Sequence, residues 1–320
     1  MPGDTPWPDR AMPATVRERL RSARGFVFDL DGTLVLTDRR NSAFTPLPGA
    51  VAMTRWLTAR GLPFVAFTNG TTKTARGYAQ ALAEAGFDLN DGSVLTPAVS
   101  AAELFTRRRY RRVMALGGDG LAAPLREAGI EVVPPASGRP VDAVLAGWYR
   151  EFSMEVLEAA CEAVWQGARL YSCSQSVFFA TAEGRAIGTS RAISAMIRSV
   201  TGCRVEVVGK PSLHALRSAA RRLGVPPAEL AVVGDDPELE VPMAYRGNAL
   251  AVAVGTGIGT ASAFDRLPGG RRPHLMLRGV DGLLDLCQAL GATGAATGTP
   301  KATKATRSPQ NGHNGPAAVS

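Results

Sequence analysis

Short apolar runs alternate with longer segments of helical spacing along this chain. Gly25–Leu30 (GFVFDL), Pro63–Thr68 (PFVAFT), Arg112–Leu116, Ala143–Ala146, Arg169–Ser172, Leu230–Val233 and Leu250–Val254 read as buried strands. Pro48–Arg60 and Thr74–Ala85 have helical spacing, and each closes at a glycine, Gly61 or Gly86. Further helices are predicted over 119–128, 153–166, 189–200, 212–223 and 238–246. Alternating strand and helix units predict an α/β chain: a doubly wound parallel sheet with helices on both faces. Ligands bind such sheets at the carboxyl ends of the strands, so chemistry is expected just after Leu30, Thr68 and Val233.

The two ends differ from this body. Residues 1–23 form a proline-rich lead, with a helix expected from Thr15 to Arg24. Residues 291–320 have almost no large apolar side chains. They cannot offset their own ordering entropy and are expected to be disordered and dispensable.

Composition narrows the function classes. A chain of 320 residues suggests about two domains. The four cysteines, Cys161, Cys173, Cys203 and Cys287, have no C-x-x-C spacing, which argues against a zinc ribbon, a redox pair and a disulfide scaffold. Three histidines make a multi-histidine metal site a poor fit. No apolar run reaches the roughly 18 residues of a membrane span. The opening residues do not read as a signal peptide, so a cytoplasmic protein is expected. The formal net charge of +8 raises the question of nucleic acid, but Lys301, Lys304 and Arg307 supply three of those charges from the tail. The densest patch, Arg107–Arg112, holds one aromatic residue, Tyr110, and lacks the interleaving of a stacking platform. It reads as a solvated helix end, with phosphate steering as the sharper reading. No nucleic-acid partner is expected. Only four of the 36 basic residues are lysines, and the body keeps just Lys73 and Lys210. In an arginine-rich chain such a lysine marks a place where a compact ammonium is wanted.

Four clusters at strand ends carry candidate chemistry. Asp29 and Asp31 follow the first strand at i and i+2 and can face one site, with Gly32 permitting a sharp turn. Paired carboxylates suit two jobs: holding a hard cation, or dividing nucleophile and proton-transfer roles. Thr68, Asn69 and Gly70 offer a hydroxyl, an amide and a free backbone N–H to an oxyanion or phosphate. Gly209-Lys210-Pro211 precedes a helix whose predicted N-cap is Ser212; Lys210 can neutralise a phosphoryl group and keep a nucleophile ionised. Asp235, in GDDPELE, is a third candidate metal ligand. Asp236 reads as an N-cap and Pro237 as the start of the next helix.

Together FDLDGT (28–33), FTNG (67–70), GKP (209–211) and GDDPELE (234–240) resemble the motifs of the haloacid dehalogenase superfamily over about residues 24–290. About 14 residues separate Thr33 from Pro48, too few for a cap, whereas 138 separate Gly70 from Gly209. A plain crossover needs about a dozen or more, so a domain is inserted there. The chain therefore resembles the 4-nitrophenyl phosphatase and phosphoglycolate phosphatase-like branch, with a large α/β cap between motifs two and three. The resemblance implies a Rossmann-like core over 24–94 and 188–290 and a cap over 95–187. It implies a Mg²⁺-dependent phosphatase acting on a small phosphate ester through an aspartyl-phosphate. Asp29 would be the nucleophile and Asp31 the acid and base. Asp29, the Asp31 carbonyl and Asp235 would bind the metal, with Glu240 acting through a metal-bound water where the family usually has Asp. Thr68, Asn69, Gly70 and Lys210 would hold the phosphoryl oxygens. Asp31 favours a phosphatase over a dehalogenase, which needs no second Asp at that place. Caps of this branch often pair, which opens a homodimer through the cap. The cap departs from the family at Gly147-Trp148-Tyr149-Arg150 and Ser172-Cys173-Ser174-Gln175, where two usual acids are missing. Trp148, Tyr149, Arg150, Ser172 and Gln175 are accordingly the candidate substrate-selecting residues, with Trp148 also readable as cap core and Cys173 as a small buried side chain. The alternatives are a catalytically weak relative that senses a phosphorylated ligand, and phosphoryl transfer to an acceptor other than water.

Overall fold

The computed structural model describes Trp7 and residues 12–38, 43–89, 92–181, 184–268 and 271–291. Most of the tail expected to be disordered lies outside the described residues. Two parallel sheets organise the rest. The larger has six strands in the order Leu275–Leu277, Leu250–Val254, Leu230–Gly234, Gly25–Asp29, Phe64–Phe67 and Val94–Leu95. Its central strand, Gly25–Asp29, is buried along its whole length. Alternate side chains leave a strand on opposite faces. Phe26 and Phe28 pack on one side with Met53, Leu57, Tyr78 and Leu283, from the helices Ala50–Ala59, Ala75–Glu84 and Val280–Ala289. Val27 packs on the other with Leu216, Val241 and Phe264, from Leu213–Leu223, Glu240–Arg246 and Ala261–Asp265. Helices therefore cover both faces. Truncating a fully buried Phe such as Phe28 to Ala would cost about 3–5 kcal/mol.

The second sheet has five strands in the order Val205–Val207, Arg169–Ser172, Ala143–Ala146, Arg112–Leu116 and Glu131–Val132. Helices Pro97–Arg107 and Asp119–Glu127 cover one face of it, and Met154–Trp165 and Thr189–Thr201 the other. This is the inserted cap. Its sheet runs past the 187/188 boundary read from the sequence: Thr189–Thr201 packs on cap strands, and Val205–Val207 pairs with Leu170–Ser172. Pairing with a cap strand, not sequence position, decides which body that segment joins.

Every strand named from the apolar runs is present, to within a residue or two at its ends. Two antiparallel hairpins were not foreseen, Val35–Thr37 with Phe44–Pro46 and Phe178–Thr181 with Gly184–Ile187, and the second lies against the first. The N-terminal helix is Ala14–Arg21 rather than 15–24. The arginine patch is a helix-to-strand connection. Arg107 closes its helix and Arg108 makes a two-pronged ion pair with Glu206 at 2.8 and 2.9 Å. The Arg111 and Arg112 N–H groups both donate to Asp142.

Candidate active site

Four loops at the carboxyl edge of the six-stranded sheet, with Lys210 entering from the cap side, build one cleft. Asp29 ends the central strand and is 7% exposed. Lys210, 1% exposed, pairs through Nζ with Asp29 Oδ1 and lies 2.8 Å from Glu240 Oε1. Ser212 caps the helix after it, accepting from the Ala215 N–H at 3.1 Å as predicted. Asp31 keeps part of its surface open to the cleft while the surrounding protein desolvates it. Its Oδ1 accepts from Thr37 Oγ1 at 2.9 Å and its Oδ2 from Thr68 Oγ1 at 3.3 Å. Gly32 turns the chain away with φ near 87°, a conformation that glycine adopts without strain. Asp235 Oδ2 accepts from the Ile258 N–H at 2.7 Å.

Two expectations need correction. The Gly70 N–H is not free for a phosphate: it donates to Thr68 Oγ1 at 2.8 Å, which fixes the direction in which that hydroxyl donates. Asp236 does not cap a helix starting at Pro237. Its Oδ1 accepts from the Glu238 N–H at 2.8 Å, and the helix begins at Glu240. Glu240 is turned to Lys210, with Oε2 accepting from the Asp236 N–H at 3.2 Å; the extra methylene over Asp lies across Gly234, where no Cβ would fit.

The electrostatics are lopsided. Among the described residues, Asp29, Asp31, Asp235, Asp236 and Glu240 share one ammonium, that of Lys210. Burial first, and then the Asp29 charge, push Asp31 up to about 6. Burial likewise raises Asp236 to about 6 and Glu240 to about 8. Asp235 is raised well above the usual carboxylate range by burial, by Asp29 and by Glu240. Burial alone would lower Lys210, but Asp29 and Glu240 outweigh it and hold the ammonium above its ordinary value. This excess of buried negative charge suits a hard divalent cation. Among the described residues no three His, Cys, Asp or Glu side chains converge as a ready-made ligand set. The set that the resemblance implies, Asp29 and Asp235 with the backbone carbonyl of Asp31, asks for only two of these carboxylates, and both line the cleft. Gly32 and Gly257 leave the Asp235 carboxylate its space, since a Cβ at either would collide with it.

The cap closes the cleft, which encloses about 670 Å³ including its open mouth. Of the five substrate-selecting candidates, Trp148 lines it and the other four do not. The Tyr149 ring packs on Phe152 in the cap core. Arg150 is exposed outside the cleft. Ser172 is fully buried, donating to Ser174 O at 2.8 Å. Gln175 lines two grooves outside this cleft. A strand end alternates its side chains, so naming a whole loop names both faces. Asn69 and Gly70 line the cleft as expected; Ser174, Ser176, Phe178, Thr189, Ser190, Leu239 and Ile258 join them. Ser174 lay inside the loop the sequence pointed to, whereas the 178–187 hairpin carried no motif. Cys173 is fully buried and burial pushes its thiol up, which makes it a packing residue.

A doubly wound core that presents an Asp-x-Asp pair, a threonine, a buried lysine and a further acid cluster at one sheet edge, under an inserted cap, defines a narrow class. A model of haloacid dehalogenase-like hydrolases matches residues 26–131, and a HAD-hydrolase-like model matches 207–283. The stretch between them is most of the cap. The chain belongs to the haloacid dehalogenase-like hydrolases, in the branch whose large α/β cap follows the second motif. It is similar to chronophin of Rattus norvegicus, 28% identical over 295 residues, covering 88% of this chain and 93% of that protein. Its fold matches a 4-nitrophenylphosphatase from Thermotoga maritima at a TM-score of 0.74 and 25% identity, covering 83% and 98% of the two chains. It also matches a glycerol phosphate phosphatase from Mycobacterium tuberculosis, solved in complex with magnesium, at a TM-score of 0.72 and 25% identity, covering 85% and 78%.

Proposed function

We propose that this protein is a phosphoric monoester hydrolase that needs Mg²⁺, acting on a small phosphorylated metabolite. The observation that carries the reading is the pairing of Asp29 with buried Lys210, beside an Asp31 oriented by two threonine hydroxyls. An Asp29 oxygen attacks phosphorus and the ester P–O bond breaks. The Asp31 carboxyl, raised to about 6 by burial, gives its proton to the departing oxygen. The product on the enzyme is an aspartyl-phosphate at Asp29. Asp31, now a carboxylate, takes a proton from water as that water attacks phosphorus, and phosphate leaves. Lys210 and the Thr68 region offset charge on the phosphoryl oxygens, where such transition states spread it. A divalent cation held by Asp29, Asp235 and the Asp31 carbonyl would supply Lewis-acid stabilisation of those oxygens. The relatives named as phosphatases, and the magnesium in one of them, support this reading.

No helix among the described residues is long and apolar enough to cross a membrane. All four cysteines are free thiols, which suits the proposed reducing, cytoplasmic setting. The test is hydrolysis of 4-nitrophenyl phosphate with Mg²⁺ by the wild type and by Asp29→Asn. Turnover by the first and at least a thousandfold loss in the second, about 4 kcal/mol of barrier, is the expected result. Substantial hydrolysis by Asp29→Asn sinks the mechanism.

A further inference from the structure

We infer that Asn69 is a positioning residue that couples the seating of the cap to the placement of Lys210. The inference rests on the phosphatase reading for its kinetic consequence, though not for its geometry. The Asn69 amide uses all its principal hydrogen-bonding capacity between two bodies. Its Oδ1 accepts from the Lys210 N–H at 2.9 Å, and its Nδ2 donates to the Lys210 carbonyl at 3.1 Å. One side chain thus holds both backbone groups of a single residue, as a neighbouring strand would, and this fixes the direction in which the Lys210 side chain leaves the chain. The second Nδ2 hydrogen goes to Ser174 Oγ of the cap at 3.0 Å. The amide cannot flip without setting its NH₂ against the Lys210 N–H, so all three bonds form together. Ser174 is itself pinned: its Oγ donates to Ser176 Oγ at 2.9 Å and accepts from the Ser176 N–H at 3.0 Å.

The chain leading to Lys210 is wedged between the same two partners. A Cβ at Gly209 would collide with the Cys173 carbonyl of the cap loop and come within 2.7 Å of Asn69 Oδ1. Lifting the cap loop therefore removes one of the three bonds and one wall of the wedge. The ammonium that pairs with Asp29 then loses its fixed approach. In this arrangement catalysis is completed only when the cap is seated, although Ser174 lies on the cap and does not bond Lys210.

The experiment is a double-mutant cycle between Asn69→Ala and Ser174→Ala, with amide hydrogen exchange at Lys210 as a readout independent of turnover. Ser174→Ala is expected to lower kcat for 4-nitrophenyl phosphate by about fivefold, the worth of one hydrogen bond. Its effect should vanish in the Asn69→Ala background, and Ser174→Thr, which keeps the hydroxyl, should restore most of the rate. Protection of the Lys210 amide should fall in Ser174→Ala as well as in Asn69→Ala. Equal losses from Ser174→Ala in both backgrounds, or unchanged Lys210 protection in Ser174→Ala, would overturn the inference. Should Asn69→Ala fail to fold, Ser174→Ala and Ser174→Thr still decide it by exchange. A wild type without phosphatase activity defeats the functional reading alone, since the exchange comparison stands without turnover.

Discussion

Lys210 sits between two carboxylates, paired with Asp29 Oδ1 on one side and 2.8 Å from Glu240 Oε1 on the other. All three side chains are at most 9% exposed, so the pairing stands in place of hydration. Such an arrangement is costly to break from one side, because the partners are left charged and dry. Lys210→Met is therefore expected to abolish turnover and to cost about 3–5 kcal/mol of stability at pH 8. The loss should be smaller at pH 5, where Glu240, raised to about 8, already carries a proton. Urea denaturation at the two pH values checks this. An identical loss at both would mean that packing, not charge, is what Lys210 supplies.

Proton linkage gives a second expectation, for the metal-free protein. Asp31, Asp236 and Glu240 hold protons more tightly folded than unfolded, with folded values of about 6, 6 and 8. The folded state then binds more protons than the unfolded one from about pH 4 to 8, so stability falls as pH rises through that window. For Asp31 alone, moving from 3.8 to about 6 corresponds to roughly 3 kcal/mol. Lys210, shifted upward from 10.5, contributes stability throughout this range and does not alter the slope. His274, lowered by burial and by Arg19, acts in the opposite sense, but only below its ordinary 6.5. The fall is unopposed between about pH 6.5 and 8, where Glu240 titrates. Mg²⁺ should raise the melting temperature more at pH 8 than at pH 5. A metal-free melting temperature that climbs steadily from pH 6.5 to 8 would contradict this.

Trp148 lines the cleft, whereas its neighbour Tyr149 packs in the cap core. Trp148→Ala opens the cleft wall and should raise KM for bulky phosphate esters by about tenfold, with little change for small ones. Tyr149→Ala removes a ring from the cap core and should instead lower the melting temperature, leaving the ratio of kcat/KM between substrates unchanged. Comparison of both variants on 4-nitrophenyl phosphate and glycerol phosphate settles which residue discriminates. A change of substrate ratio in Tyr149→Ala would reverse the assignment.

What could be read beforehand follows from where the information lies. Buried parallel strands such as Phe26–Phe28 and Val232–Val233 are apolar runs with glycine or helix signals after them, so they stand out in one dimension. Asp29, Asp31 and Lys210 were legible because each sits at a fixed offset from such a strand or helix start. The Thr37 hydrogen bond to Asp31 was not, because it depends on the fold of a short hairpin with no apolar period. The cap boundary failed for a related reason: Val205–Val207 is three half-buried residues whose membership is set by pairing with Leu170–Ser172. Asn69 was legible as a cleft residue from its place at a strand end; its bonds to Ser174 and Lys210 were not, because those partners lie more than 100 residues away.

Thr37 offers the sharpest handle on Asp31. It is fully buried, and its hydroxyl donates to Asp31 Oδ1 at 2.9 Å while Thr68 approaches the other oxygen. A hydrogen bond donated to a carboxylate stabilises its charged form, and both threonines pull Asp31 down against the upward push of burial and of Asp29. Thr37→Val keeps the shape and removes the donor, so the Asp31 pKa should rise further, by up to about one unit, or 1.4 kcal/mol. The protonated acid needed for leaving-group departure then persists to higher pH. The alkaline limb of kcat/KM should move up by that amount. At the same time the Asp31 carboxylate that activates water in the proposed mechanism becomes scarcer and less well oriented, so kcat below pH 6 should fall by several-fold. The two effects have opposite sense in the same variant, which a simple loss of stability cannot reproduce. Full pH–rate profiles of the wild type and Thr37→Val, with melting temperatures alongside, provide the check. A uniform drop in rate with the limb in place would show that Thr37 holds the hairpin and leaves the Asp31 proton untouched.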